Sequence, residues 1–190
     1  SLSKNFNIEN LGGSFNFNSS GNNTLRNTNI STSEISNDLN YTADNAFFDN
    51  GIKTNYGVYL KNINTVGKNS PQYKESLQSE LMSAYFYSAS LPLIKSTEKN
   101  LNTLEPRLSL RLSPHEMKDN SSATRRIDVN NIFNANRLSL GNSFEAGESV
   151  TLGLNFKKEK ISIKDEIQEI EKYLDFELAT AFRLKEEKNI

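Results

Sequence analysis

The sequence has no cysteine, no tryptophan and a single histidine in 190 residues. Without cysteine there are no disulfides and no thiolate metal sites, although no compartment follows from that. With only His115 to supply an imidazole, a histidine zinc cluster is excluded. A Ser-His-Asp set would have to use this one loop residue, which we read as ordinary. No cluster of titratable groups points to an enzyme, a metal or a cofactor. An excess of charge of one sign is also missing: 22 basic against 23 acidic residues leave −1. Bulk charge therefore indicates neither nucleic acid nor an anionic membrane surface as partner. No run approaches the ~18 apolar residues of a transmembrane helix, a criterion blind to short, alternating barrel strands. Hydrophobic residues make up 35%, low for a globular chain. Either part of the chain is disordered, or the apolar residues occupy one face of each strand. The chain opens at Ser1 without a charged and apolar leader. That is expected of a mature secreted protein and equally of a segment from within a longer one.

What the sequence does contain is period-two alternation. In Asn102 to Pro114, Leu104, Pro106, Leu108, Leu110 and Leu112 fall on one side. Thr103, Glu105, Arg107, Ser109, Arg111 and Ser113 fall on the other. Successive side chains of a strand point to opposite faces, so this is a strand with one apolar and one polar face. The same reading predicts strands over Leu11–Asn18, from about Ser33 to Phe47, over Ile52–Ile63, Glu75–Ile94, Gly147–Lys158 and Leu174–Leu184. If the first extends upstream, the wrong parity of Phe6 and Ile8 calls for a bulge near Asn10. In Glu75–Ile94, Met82, Phe86 and Ile94 spoil the polar face, and Pro92 belongs near a strand end.

Between these strands, residues 19–23 (SSGNN) read as a turn, and Asn50-Gly51 as a type I′ hairpin turn with two positive-φ residues. Residues 66–73 and 95–100 are further connections, and Pro114 onward is long, charged and Asn-rich, a long loop over 114–143. Ile163, Ile167, Ile170 and Leu174 fit a helical stripe, so a short helix over 161–172 is predicted, with a charged connector as the alternative. The sum is an all-β, antiparallel up-and-down arrangement of about seven strands joined in sequence by alternating short turns and long loops. Membrane barrels alternate in this way, and bacterial ones have an even number of strands, at least eight, so seven do not close. The expectation is one part of a larger transmembrane β-barrel domain spanning 1–190, with 114–143 as a long extracellular loop.

The run LEPRLSLRLSP (104–114), followed by RRIDVNNIFNANRLSLGNSFEAGESVTLGLNF (125–156), resembles the barrel of the LptD family of outer-membrane lipopolysaccharide-assembly proteins. The matching positions are Leu104 to Arg107, then Asp128, Phe133, Asn136 and Arg137, then Val150 to Leu154. Phe48–Gly51, Tyr59–Asn64 and Ser90–Lys95 add to the likeness, which is best over about residues 45 to 160. The resemblance implies one section of a barrel of about 26 strands in the outer membrane. It also implies a translocon that inserts lipopolysaccharide into the outer leaflet, an LptE-like plug lipoprotein, and a periplasmic LptA-like bridge acting through parts outside this segment. The family's disulfide cysteines and its lateral seam have no counterpart here.

On this reading Leu104, Leu108, Leu110, Leu112, Val150, Leu152, Leu154 and Phe156 face lipid. Arginine at these leucines is costly and at Ser109 tolerated. Glu105, Arg107 and Arg111 face the lumen, where they contact a plug or substrate or pair across strands; cross-strand pairing is the simpler expectation. Arg125 and Arg126, beside Asp128, are anion-binding candidates, against the plainer reading of a solvated charge cluster. A general porin shares the alternation. A soluble β-sandwich adhesin or binding module would need strands apolar on both faces, and only Glu75–Ile94 comes close.

Overall fold

A run of strands that are apolar on one side only must lie in a sheet with two unlike faces. The computed structural model describes residues 1–8, 12–26, 29–116, 118, 126–164 and 167–184, and these form a single antiparallel sheet. Its strands are β1 (Leu2–Ile8), β2 (Gly13–Arg26), β3 (Ile30–Ala43), β4 (Ala46–Phe47), β5 (Lys53–Lys68), β6 (Gln78–Ser90), β7 (Leu93–Ser96), β8 (Asn100–Ser113), β9 (Gly147–Lys164) and β10 (Ile167–Arg183). The spatial order is β1-β2-β3-β5-β6-β8-β9-β10. Two of the ten are the far ends of broken strands. β4 continues β3 against β5, and β7 continues β6 against β8. That leaves eight walls, each beside its neighbour in sequence. β1 and β10 do not pair with each other, so the sheet is open.

The number of walls exceeds the expected seven because Leu2–Ile8 is a strand of its own, with Phe6 opposite Phe15. The parity change there is a chain reversal; the expected bulge near Asn10, like Leu11 itself, lies outside the described residues. Residues 19–23 are not a turn. β2 runs through them, and Ser19 Oγ donates to Asn37 Oδ1 at 2.7 Å across the ladder. Ladder pairing outweighs the turn preference of Ser, Gly and Asn. The reversal comes later, where Asn29 takes φ +60° and donates its N–H to the Arg26 carbonyl.

Asn50-Gly51 does sit in a hairpin, but not in a type I′ turn: Gly51 has φ +84° and Asn50 has no positive φ. Gly51 N–H donates to the Phe48 carbonyl, and Phe48 N–H to the Ile52 carbonyl. This is a three-residue loop closed by a glycine in the left-handed region, the other common hairpin solution.

The described residues of 161–172 are strand, not helix. β9 continues to Lys164, the chain reverses, and β10 starts at Ile167 with Ile161 opposite Ile170. The stripe arose because apolar positions of two strands, read through one turn and a register shift between Lys172 and Leu174, fall at spacings close to 3.6. No helix occurs among the described residues.

Proline placement explains the break between β6 and β7. Pro106 has no N–H to give, and β6 stops opposite it: Leu91 N–H donates to the Pro106 carbonyl, and pairing resumes only at Leu93. Pro92 occupies the gap, where no ladder bond is asked of it.

The register assigns the faces. One carries rows such as Phe6–Phe15–Tyr41–Val58–Tyr85–Leu112 and Tyr56–Tyr87–Leu110–Val150–Phe182. The other carries Asn16, Asp38, Lys61, Met82, Arg107, Arg111, Ser149 and Arg183. The 126–146 segment lies across this second face and supplies most of the tightly buried residues.

Candidate functional site

The segment that covers the polar face is built by its own asparagines and aspartate. Asp128 Oδ1 accepts from Asn130 N–H at 2.8 Å, and Asn131 Oδ1 from Asp128 N–H at 3.1 Å. Asn131 Nδ2 donates to the Arg126 carbonyl at 2.8 Å, and Asn136 closes a second turn with Leu140 in both directions. Short amide and carboxylate side chains replace ladder partners here, which lets a long loop satisfy its backbone without a sheet. Of its members, Asn131, Ile132, Arg137, Ser143, Phe144, Glu145 and Ala146 are buried.

Two apolar anchors hold it down. Phe144 packs on Ile63, Met82 and Ala84, with Tyr59 beside them. Met82 and Phe86, which spoiled the polar face of β6, are thus the landing ground for a covering segment. Phe133 lies over Gly153, where any Cβ would collide with its ring, and the Arg107 guanidinium stacks on it at 4.2 Å from the ring centre. A stacked cation of this kind contributes about 0.5–2 kcal/mol, more where it is desolvated.

Between the anchors sits a charge cluster. The Glu145 carboxylate has no exposed surface and meets three guanidiniums. Arg137 grips it with Nε on Oε2 at 3.0 Å and Nη2 on Oε1 at 2.5 Å. Arg111 Nη2 lies at 3.1 Å from Oε1, and Arg111 Nη1 donates to the Glu145 carbonyl. Arg183 Nη2 lies at 2.5 Å from Oε1. One carboxylate therefore joins the loop (Arg137), β8 (Arg111) and the outermost strand β10 (Arg183). Farther along, Lys61 pairs with Asp38 at 2.5 Å and donates to the Gly141 carbonyl at 2.9 Å.

The three expected lumen residues part company. Arg111 is buried in the cluster; its cross-strand neighbours Ser149 and Phe86 offer no charge, so its counter-ion comes from the loop. Glu105 and Arg107 stand opposite Asn155 and Gly153 on β9, and among the described residues neither side chain makes an ion pair. The reason is composition: β9 presents no complementary charge at those register positions.

All eight residues expected toward lipid lie on the uncovered face. Leu110, Leu112, Leu152 and Leu154 are exposed, Leu152 by 46%; Leu104, Leu108, Val150 and Phe156 are half-buried among their neighbours. Ser109, expected to tolerate arginine, is 3% exposed beneath the loop and has no room for it. Arg126 is exposed, and Arg125 lies outside the described residues. His115 is a packing residue: one ring nitrogen meets the Phe144 carbonyl at 3.0 Å and the ring lies edge-on to Phe144. No group of three or more acidic or histidine side chains could hold a metal among the described residues.

Alternation alone could find the wall residues but not Glu145 or Arg183. The signals for their partners were Met82 and Phe86 on a polar face and the Asn-rich loop that follows β8.

An open up-and-down antiparallel sheet, apolar and bare on one face, polar and loop-covered on the other, is the wall of a β-barrel. The chain belongs to the LptD family, LPS transport system D, whose model matches residues 2–190. That places it among outer-membrane proteins of lipopolysaccharide transport and assembly. No curated protein and no solved structure matches the chain.

Proposed function

We propose that this chain forms a section of an outer-membrane translocon wall through which lipopolysaccharide is inserted into the outer leaflet. The observation that carries the reading is the unlike pair of faces. A band of exposed leucines and aromatics on one face needs lipid, since a soluble sheet would have to bury it. The opposite face, with its charges and its covering loop, is the lumen side. Seven of the eight walls are 13 to 18 residues long, more than the 9–11 tilted residues that cross a bilayer, so they extend beyond it. The connection after β8 leaves from the end opposite the Asn50-Gly51 hairpin and is the extracellular loop, its described part, 126–146, lying over the polar face. The polar face of β1 and β2 is where an LptE-like plug would sit. A periplasmic LptA-like bridge would act through other parts of the protein. A general porin would share the faces, but the family match favours lipopolysaccharide.

The test is a pair of arginine substitutions. Leu152→Arg places a charge on the lipid face and costs about 2–4 kcal/mol if Leu152 lies near the bilayer midplane. Asn18→Arg, on the other face beside Asp38, is near neutral. Folding into lipid vesicles, measured by urea titration, reads both. Equal tolerance at the two positions would overturn the orientation.

A further inference from the structure

Beside the Phe133 anchor the polar face keeps a cavity of about 220 Å³, between β5, β6 and β8. Lys53, Ser90 and Arg107 cross its floor in one register row, Lys53 opposite Ser90 and Ser90 opposite Arg107. Glu105 and Ser88 line the same space, with Phe86 and Phe133 as its aromatic boundary. Three ionisable side chains thus face one cavity, half-buried, and among the described residues none of them has an ion pair or side-chain hydrogen bond; the Arg107 guanidinium lies on the Phe133 ring. The nearby arginines of the Glu145 cluster each meet its carboxylate, so the two groups are chemically distinct.

Unpaired, partly desolvated charges are costly, and a site that keeps them in place is built for a ligand that completes them. The ligand must be rich in donors and acceptors, to meet Ser88, Ser90 and Glu105 at once. It must present an apolar ring face, to lie against Phe86 or Phe133. It must carry negative charge, because Lys53 and Arg107 outnumber Glu105. Two strand spacings, about 9–10 Å, separate the backbones that carry the two cations, on the scale of one substituted ring. An acyl chain meets none of the first demands.

We propose that this cavity binds an anionic sugar, a phosphorylated or carboxylated pyranose of a glycolipid's saccharide. Arg107 and Lys53 take the anion, Glu105 takes hydroxyl protons, and an aromatic ring covers one sugar face. The site rests on the reading above and names which portion of the lipopolysaccharide this wall contacts. Arg107 is held by its stacking on Phe133, so the covering loop also shapes the site.

The probe is deacylated, phosphorylated oligosaccharide prepared from lipopolysaccharide, titrated calorimetrically into the full chain folded in detergent micelles. Binding is expected to saturate. It falls at least tenfold in Arg107→Gln and in Lys53→Gln, falls similarly when the oligosaccharide is dephosphorylated, and is unchanged in Lys68→Gln. Arg107→Lys, which keeps the charge but not the planar stack, restores part of it. Resistance of the fold to unheated detergent electrophoresis separates a lost site from a lost structure. Wild-type affinity in Arg107→Gln overturns the site, and so does competition by inorganic phosphate at the same concentration as oligosaccharide. If oligosaccharide fails to bind while Leu152→Arg still blocks membrane folding, the sugar site falls and the wall stands. The reverse pair of results sinks the wall and leaves a saccharide site on a different kind of protein.

Discussion

Single residues set how firmly the loop holds to the sheet. Glu145 is the one acidic member of a cluster with three arginines, two of them almost fully buried. Replacing it by glutamine leaves the guanidiniums desolvated without a counter-charge, a loss of about 3–5 kcal/mol when one partner of a buried pair is removed. Glu145→Gln is therefore expected to release the 126–146 segment, and trypsin cleavage after Arg126 or Arg137 should become fast while the wall stays folded. Unchanged protection would mean that Phe144 and Phe133 hold the loop without it. Arg183→Gln should do less, because Arg183 is one-quarter exposed where it meets the carboxylate. Gly153 makes the second test: a valine there would occupy the seat of the Phe133 ring. Because the chain has no tryptophan, Phe133→Trp gives a single emission band. Adding Gly153→Val should shift that band to the red, and an unmoved band would place Phe133 elsewhere.

At the scale of elements, turns and loops decide register, and they were the least legible part. The 69–77 connection is pinned to β3 by Tyr73, whose hydroxyl donates to the Glu34 carboxylate. That hydrogen bond, then burial, then the charge of Glu34 hold the Tyr73 phenol above its ordinary pKa of 10. The sign follows from the proton: the folded state keeps the phenol protonated more strongly than the unfolded chain does. The contact is fully present below about pH 10 and is lost as pH rises through the raised value. An ultraviolet titration should show a late-ionising tyrosine component that Glu34→Gln reduces. A titration unaffected by Glu34→Gln would remove the contact.

For the molecule as a whole, the open edges matter most. β10 is 17 residues long and has a strand partner on one side only, and β1 is in the same position at the far end. A bare edge of that length is a template for pairing. In the membrane both edges should be covered, so the β10 amides that do not bond β9 should resist hydrogen exchange in bilayers. Rapid exchange there would mean that β10 ends the wall. The single apolar face makes the matching demand on lipid. Leu152→Arg and Asn18→Arg test that at the level of the whole sheet, because each acts through the face it lies on.

The division between sequence and tertiary structure is clear in these elements. Alternation is a local property, since neighbouring side chains of any strand point to opposite faces. The sequence by itself therefore determined most of the strands, the two unlike faces of the sheet, the leucine rows of β8 and β9, and the family likeness carried by residues 104–156. It could not separate a helix from a hairpin over 161–172, because two strands read through one turn imitate a helical stripe. It also could not place a turn at 19–23 against the pull of a ladder. Only the tertiary structure decided that the loop after β8 folds back over the polar face. That fold joins Arg111, Arg137 and Arg183 on one carboxylate and leaves Glu105, Arg107 and Lys53 unpaired around a cavity. These contacts link residues tens of positions apart, and their strength comes from burial and charge that exist only once the sheet has formed.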